Sequence, residues 1–204
     1  MAGLAHILAD WGCRVTGTDR ARSTMTASLE RRGLAVRIGH DAQAVGEADA
    51  VVYSNAVPDN NPERLAAENR GIPTWLRGAF LAELARAFET VVAVAGSHGK
   101  TTTTAMIVHI LERTGHHPGC LIGGSVPGWE RAARGGDGKI LVTEVDESDG
   151  TQALLDSTVA VITNIDDDHA WSHGGIDALH RNFADFAAKA GHVVTTDTPA
   201  TRAV

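Results

Sequence analysis

The sequence predicts an α/β protein whose parallel sheets are arranged in two consecutive units. Three observations predict it: strand-like segments alternate with helical ones, glycines end several of the helices, and two β-branched runs lead directly into polar or acidic turns. Such βα repetition gives parallel strands covered by helices, with ligands at the carboxyl ends of the strands. A chain of 204 residues can form one large α/β domain or two small ones.

The first unit, residues 1–88, alternates helices and strands. Apolar spacing and glycine stops predict helices over AGLAHILADWG, TMTASLERRG, NPERLAAENRG and RGAFLAELARAF. Strands are predicted over RVTGTD, LAVRIGH, ADAVVYSNAV and IPTW. A dinucleotide-type domain opens with a strand and a glycine-rich turn before its first helix, whereas this sequence begins in the helix at Met1. Either the fold starts differently, or the unit is Rossmann-like without its first strand; in the second case we expect an exposed strand edge and low stability there.

The second unit, residues 89–204, begins with the apolar strand TVVAVAG, so the domain boundary is predicted near residue 88. The helix TTTTAMIVHILERTG follows, with Met106, Ile107, Ile110 and Leu111 expected on one apolar face. Further strands are predicted over KILVTEVDESDG, TVAVITNIDDDHA and HVVTTD, with the helix GIDALHRNFADFAAKAG between the last two.

Composition and charge exclude several function classes. Hydrophobic residues at 43% and charged residues at 21% are ordinary for a globular protein. No apolar run of about 18 residues and no basic leader is present, so we expect a cytoplasmic protein that does not bind membranes. The net charge of −7 comes from the second unit and argues against nucleic acid as a partner. Oligomeric state is not predicted by the sequence.

Eight acidic side chains of the second unit lie in a stretch without Lys or Arg. They are Glu144, Asp146, Glu147, Asp149, Asp156, Asp166, Asp167 and Asp168. Such a stretch suits divalent cations, and a solvated acidic surface is the alternative.

The segment AGSHGKTT, residues 95–102, contains the parts of a phosphate-binding loop in order. It has a strand end, a glycine turn, a lysine that can reach terminal phosphates and a hydroxyl for Mg²⁺. Val94 stands where the strict Walker pattern has glycine, so the loop is a shorter variant. The predicted ATP-binding residues are Gly96, Ser97, His98, Gly99, Lys100, Thr101 and Thr102. The alternatives are a glycine turn that only caps a helix, and a His98 that is only a turn residue.

Three more strand ends carry polar or acidic residues. Glu144 follows an apolar strand, which places it at the edge of the phosphate loop if the strands are parallel. The strand TVAVITNIDDDHA ends in Asn164, three aspartates and His169. Mg²⁺ prefers oxygen ligands, so chemistry alone leaves a metal role for His169 open. Asp19 ends a strand of the first unit and could bind a ribose or only cap a helix.

The motifs AGSHGKTTTTAMI, EVDESDG and TNIDDDH resemble the central-domain motifs of the Mur ligases, the ATP-dependent amide-forming enzymes of peptidoglycan synthesis. In the first half, GHDA, ADAVVYSNAVPDNNPE and GIPTWLRGAFLAEL resemble the UDP-substrate domain of that family. The resemblance implies ATP and Mg²⁺ as cofactors and UDP-N-acetylmuramate and L-alanine as substrates, joined through an acyl phosphate. It also implies an incomplete chain that is inactive alone. A murein tripeptide recycling ligase and a non-catalytic nucleotide-binding module are the alternatives.

The resemblance also implies roles for individual residues. Lys100, Glu144 and His169 are expected to be catalytic, with Thr101 and Glu144 on one Mg²⁺ and Glu144 with His169 on a second. The residues expected near the UDP substrate are Asp19, His40, Ser54, Asn55, Ser148 and Asp149. Trp171 stands where the family commonly has an acidic residue, which alters the expected surroundings of His169.

Overall fold

The computed structural model describes residues 1–145, 151–166 and 175–204, and it confirms the α/β class. The helices α1 to α7 are Ala2–Asp10, Thr24–Arg31, Pro62–Asn69, Arg77–Ala85, Lys100–Arg113, Thr151–Leu154 and Ile176–Ala188. The strands β1 to β10 are Thr16–Asp19, Ala35–Ile38, Val51–Tyr53, Thr74–Leu76, Thr90–Ala95, Gly119–Leu121, Ala133–Arg134, Ile140–Glu144, Val159–Ile162 and His192–Thr195. Within the described residues, no helix is both long enough and apolar enough to cross a membrane.

The second half forms a six-stranded sheet in the order β10-β9-β5-β8-β6-β7. All neighbouring strands are parallel except β7, which runs antiparallel to β6. Strand β5 lies in the centre, where its Val94 pairs with Glu144 of β8 and its Ala95 pairs with Ile162 of β9. The carboxyl ends of these three strands therefore meet at one edge of the sheet.

Apolar burial on both faces holds this sheet in place. Ala93 on β5, Leu141 on β8 and Ala160 on β9 are fully buried on one face, and Val142 of β8 is fully buried with Val108 of α5 on the other, as expected for strands that are covered by helices on both sides. Helix α7 buries Leu179, Phe183 and Phe186, which follow the spacing of one helical face.

The first half contains two separate pairs of parallel strands, β1 with β2 and β3 with β4. Neither pair is covered as the six-stranded sheet is, and Thr16, Gly17 and Asp19 of β1 are exposed. The expected exposed strand edge is thus present. The low stability predicted for this part, like the boundary near residue 88, stays a prediction.

Helix α1 packs on strands β6 and β7 of the six-stranded sheet, so the two halves share a hydrophobic core. Leu4 and Ile7 of α1 lie in the same buried cluster as Leu121 of β6. Gly3 permits the close approach, because a Cβ there would lie 2.3 Å from the Cδ1 atom of Leu121.

Two sequence expectations differ from the structure. The sequence did not predict strands β6 and β7 or helix α6. These elements have three, two and four residues, which are too few to show a hydrophobic period. The predicted apolar face of α5 is only partly right: Ile107 and Leu111 pack against the buried cluster, but Met106 and Ile110 are 58% and 59% exposed, and Thr104 and Val108 are fully buried instead. The physical reason is that α5 packs on β8 and β5. The side chains that point toward these strands are buried, and they include the polar Thr104.

Asp10, at the end of α1, connects the halves through a polar cluster. One carboxylate oxygen accepts hydrogen bonds from the guanidinium groups of Arg32 and Arg131, the latter at 3.1 Å. The other accepts from the backbone N–H of Gly135 at 2.8 Å. Burial alone raises the pKa of Asp10, but the Gly135 and Arg131 hydrogen bonds and the arginine charges outweigh it, so the pKa lies below its ordinary value.

We expect Asp10→Asn to lower the free energy of unfolding by about 1–2 kcal/mol at neutral pH, because it removes a half-buried charge from its partners. A lowered folded-state pKa gives stability that is fully present above the unfolded pKa and is lost as the pH falls through the folded value. Urea unfolding curves of wild type and variant should therefore converge as the pH falls through the lowered pKa of Asp10. Asp49→Asn, at an exposed position, is the matched control, and a pH-independent difference for Asp10→Asn would contradict this account.

Candidate active site

The phosphate loop lies between β5 and α5, at the carboxyl edge of the sheet where β8 and β9 also end. Gly96 and Gly99 have φ values of +137° and +80°, a backbone region that glycine adopts without steric cost. Gly99 is the N-cap of α5, and Lys100 is the first residue of the helix. The backbone N–H groups and the positive end of the helix dipole thus lie at the loop, which is the arrangement that binds phosphate.

The segment after β9 fixes the loop through backbone and side-chain hydrogen bonds. The N–H of Ser97 donates to the carbonyl of Asn164 at 3.1 Å, and the N–H of His98 donates to the Asn164 side-chain oxygen at 2.8 Å. The hydroxyl of Thr163 donates to the carbonyl of His98 at 2.6 Å, while Ser97 Oγ accepts from the N–H of Asp166 at 2.9 Å. The loop is therefore pre-organised by its neighbouring strand end.

Gly96 is the position where this packing is tightest. A Cβ there would lie 2.0 Å from Thr163 Oγ1 and 3.0 Å from the carbonyl oxygen of Asn164. No side chain fits between the loop and the segment after β9.

Lys100 folds back over the loop. Its ammonium donates to the carbonyl of Gly96 and, at 3.4 Å, to the carbonyl of Ser97. The positive charge is thereby held directly above the glycine turn. The His98 side chain is 56% exposed, and its Nε2 lies 3.9 Å from a carboxylate oxygen of Asp166.

Glu144, at the end of β8, presents an oxygen that has no hydrogen-bond partner among residues 1–145, 151–166 and 175–204. Its Oε2 accepts from the N–H of Gly123 at 2.9 Å, whereas its Oε1 is buried and unpartnered within the described residues. Gly124, the residue after Gly123, lies close to Thr101: a Cβ on Gly124 would lie 3.4 Å from Thr101 Oγ1. A carboxylate and a hydroxyl beside a phosphate loop are oxygen donors of the kind that Mg²⁺ prefers, so this donor set fits Mg²⁺.

Sequence reasoning missed Gly123 and Gly124, although the pair directly after an apolar stretch in LIGGSV was a usable signal for a close backbone approach. His169, Ser148 and Asp149 lie outside the described residues. Their expected roles stay predictions. Thr101 and Thr102 lie in the first turn of α5, as expected.

A second polar group lies in the first half, at the carboxyl ends of β1 and β2. The imidazole Nδ1 of His40 lies 2.9 Å from Glu63 Oε1, and Thr18 Oγ1 donates to both oxygens of Glu63 at 2.9 and 2.8 Å. Asp19 ends β1 beside them and accepts from the N–H of Ala21 at 3.2 Å.

Asp19 and His40, two of the residues expected near the substrate, lie at the ends of the paired strands β1 and β2, where the N–H of Gly39 donates to the main-chain carbonyl of Asp19 at 2.9 Å. Ser54 and Asn55 directly follow β3. Sequence reasoning missed Thr18 and Glu63. Thr18 had no signal beyond its strand, while Glu63 stood out only as the acid after Pro62 at a helix start.

Comparison with known proteins decides the family. A model of the Mur ligase family, catalytic domain, matches residues 1–89, and a model of the Mur ligase middle domain matches residues 94–203. The chain belongs to the Mur ligase family. Mur ligases as a family are ATP-dependent.

The relatives agree with this membership. The UDP-N-acetylmuramate–L-alanine ligase of Persephonella marina is 46% identical over 189 residues, which are 93% of this chain and 41% of that protein. The crystal structure of the UDP-N-acetylmuramate–alanine ligase of Thermotoga maritima superposes with a TM-score of 0.86 at 28% identity, covering 98% of this chain and 48% of that one. This Mur ligase chain therefore spans less than half the length of these relatives.

A third relative acts on a different substrate. The UDP-N-acetylmuramate:L-alanyl-γ-D-glutamyl-meso-diaminopimelate ligase of Neisseria meningitidis superposes with a TM-score of 0.87 at 29% identity. The match covers 99% of this chain and 69% of that one. The fold of these residues is thus common to Mur ligases that attach either L-alanine or a peptide.

Proposed function

We propose that this chain supplies the UDP-substrate and ATP sites of a UDP-N-acetylmuramate–L-alanine ligase. The observation that supports the proposal most is the meeting of the Lys100 loop and the unpartnered Glu144 oxygen at one sheet edge. The 46% identical relative of that name supports the choice of reaction.

The proposed reaction has two steps. A carboxylate oxygen of UDP-N-acetylmuramate attacks the γ-phosphorus of ATP, the bond to the β,γ-bridging oxygen breaks, and ADP leaves. The amine of L-alanine then attacks the acyl carbon, phosphate leaves with its bonding electron pair, and the ammonium proton passes to solvent. The products are the amide, ADP and inorganic phosphate.

Lys100 is proposed to reduce the electrostatic repulsion between the substrate carboxylate and the triphosphate, which are both negatively charged. Its ammonium exchanges the carbonyls of Gly96 and Ser97 for the β- and γ-phosphate oxygens, where it stabilises the charge of the transition state. The N–H groups of the loop and of the first turn of α5 bind the same phosphates.

Thr101 and Glu144 would hold a Mg²⁺, which when bound neutralises phosphate charge. For a second Mg²⁺, the resemblance of the motifs supports Glu144 together with His169. Glu144 also keeps the Gly123 segment in position through its other oxygen. Glu144 is thus proposed both to bind the cation and to hold the Gly123 segment in place.

The UDP substrate is proposed to lie along the first half. Asp19, His40, Ser54 and Asn55 would contact it from that side, and Ser148 and Asp149 from the second. All proposed partners are small molecules: UDP-N-acetylmuramate, L-alanine and ATP. Because these are cytoplasmic metabolites, the proposal places the protein in the cytoplasm.

The murein tripeptide recycling ligase is the second candidate, supported by the match to the Neisseria meningitidis ligase. The motif EVDESDG favours the alanine-adding enzyme, because the recycling enzyme tends to have an aromatic residue where Ser148 stands. A non-catalytic nucleotide-binding module would keep the loop but would transfer no phosphoryl group.

A segment exchange tests the proposed function. Residues 1–204 would replace the matching segment of the Persephonella marina ligase, and phosphate release would be measured with UDP-N-acetylmuramate, Mg-ATP and either L-alanine or the tripeptide. We expect release that depends on both UDP-N-acetylmuramate and L-alanine, and its loss in the same chimera with Lys100→Ala. A folded chimera that binds ATP but releases no phosphate would support the non-catalytic module instead.

A further inference from the structure

The backbone groups on both sides of His98 point toward the segment after β9. The N–H of His98 donates to Asn164 Oδ1 at 2.8 Å, and the His98 carbonyl accepts from Asn164 Nδ2 at 3.1 Å and from Thr163 Oγ1 at 2.6 Å. The N–H of Ser97 donates to the same segment, at the main-chain carbonyl of Asn164. The N–H groups of Ser97 and His98 are therefore occupied before any ligand arrives.

The four N–H groups that follow have no such partner. Those of residues 99–102 donate to no acceptor within the part of the chain that the structure describes. The first N–H groups of a helix lack a partner inside the helix, and an anion can accept from them. From Ser97 to Thr102 the N–H groups thus fall into two sets: two face the segment after β9, and four remain for a ligand.

The geometry of one peptide group connects the two sets. The bond between His98 and Gly99 is trans, and in a planar trans peptide the C=O and N–H groups point in opposite directions. Because the His98 carbonyl is held toward Thr163 and Asn164, the N–H of Gly99 points away from the segment after β9. Asn164 binds on both sides of His98, since its oxygen accepts from the N–H and its nitrogen donates to the carbonyl. The Asn164 amide therefore fixes the direction of the Gly99 N–H.

We propose that Asn164 is a positioning residue that directs the Gly99 N–H toward the nucleotide, so that the N–H groups of residues 99–102, and not those of Ser97 and His98, bind the phosphates. The inference rests on the proposed function, because it takes the phosphates of ATP as the ligand of the loop. A His98–Gly99 peptide that rotates would present a carbonyl oxygen to the phosphates instead of an N–H, which is unfavourable because both are acceptors. Asn164 prevents that rotation.

Amide hydrogen exchange of the 204-residue chain, followed by NMR, tests this assignment without any substitution. In the absence of nucleotide, the amides of Ser97 and His98 should exchange more slowly than those of residues 99–102, because hydrogen bonding protects an amide from exchange. Mg²⁺ with a non-hydrolysable ATP analogue should protect residues 99–102 and move the Gly99 amide resonance downfield. The amides of Ser97 and His98 should stay as protected as before.

Variants separate positioning from a structural role. Asn164→Ala should expose the His98 amide to exchange, reduce the downfield shift of Gly99 and weaken binding of the analogue about five- to tenfold, the loss expected for one hydrogen bond. Thr163→Val removes a donor to the same carbonyl but leaves the His98 N–H on Asn164, so the His98 amide should stay protected. Asn69→Ala, at an exposed position, is the matched control and should change none of these readouts. If Asn164→Ala does not fold, the exchange pattern of the wild type decides.

The outcomes separate the inference from the proposed function. If the analogue binds and the amides of Ser97 or His98 move downfield in place of that of Gly99, or if folded Asn164→Ala binds it as tightly as the wild type, the inference is overturned and the proposed ATP site stands. If the wild type does not bind the analogue at all, both the proposed ATP site and this assignment of its N–H donors are contradicted.

Discussion

Replacing Lys100 by alanine is expected to weaken Mg-ATP binding by about 10- to 100-fold, the range for loss of hydrogen bonds from a charged group. The reason is geometric. The ammonium lies over the turn on the carbonyls of Gly96 and Ser97, so it can reach terminal phosphates with little movement of the helix. Titration calorimetry with a non-hydrolysable ATP analogue measures the effect.

Lys139→Ala is the matched control for this prediction. Lys139 is exposed and directly precedes β8, at the opposite edge of the sheet from the loop. Its removal changes the net charge equally and should leave ATP affinity unchanged. Equal losses of ATP affinity for Lys100→Ala and Lys139→Ala would show that ATP binding depends only on the net charge of the protein. That result would contradict a direct contact between Lys100 and the phosphates.

Gly96→Ala is expected to lower the free energy of unfolding by about 2–4 kcal/mol and to abolish measurable ATP binding. Both effects have the same cause. The added methyl group would lie 2.0 Å from Thr163 Oγ1, so the loop must move away from the segment after β9, and the φ of +137° is strained for alanine. Urea unfolding and calorimetry measure the two effects.

Gly138→Ala separates steric overlap from backbone strain. Gly138 also has a positive φ, +82°, but a Cβ there meets nothing within 4 Å. We expect a loss of about 1–2 kcal/mol from backbone strain alone and unchanged ATP binding. A Gly96→Ala protein that binds ATP normally would show that the loop does not need its contact with the Thr163 segment.

The features that the sequence predicted best are those whose signal is local and repeated. The β-branched run before Gly96 predicted β5, and the glycine turn followed by Lys100 predicted the start of α5; both are present. The place of Glu144 followed from topology alone, because parallel strands end at the same edge, and its pairing with Val94 agrees with that expectation.

The features that the sequence could not predict depend on distant contacts. The buried face of α5 is decided by the sheet beneath it, so Met106 is exposed and Thr104 is buried. The contact between Glu63 and His40 joins residues 23 positions apart. No periodic pattern records such a contact, because it exists only once the chain has folded and the Glu63 side chain at the start of α3 reaches Thr18 and His40.

The same limit applies to Asp10. Its position at the end of a helix suggested no function in the sequence, yet it receives a hydrogen bond from Gly135, which lies 125 positions along the chain. Side chains that connect the two halves become visible only in the folded protein.

A crystal structure of this chain with Mg²⁺ and a non-hydrolysable ATP analogue tests the central claim most directly. We predict the triphosphate on the loop from Gly96 to Thr101, with Lys100 on its terminal phosphates and a metal ion between Thr101 Oγ1 and Glu144 Oε1. A nucleotide bound elsewhere, or one on the loop with Glu144 more than about 5 Å from the metal ion, well beyond the 2.0–2.1 Å of a Mg²⁺ ligand bond, would contradict the account.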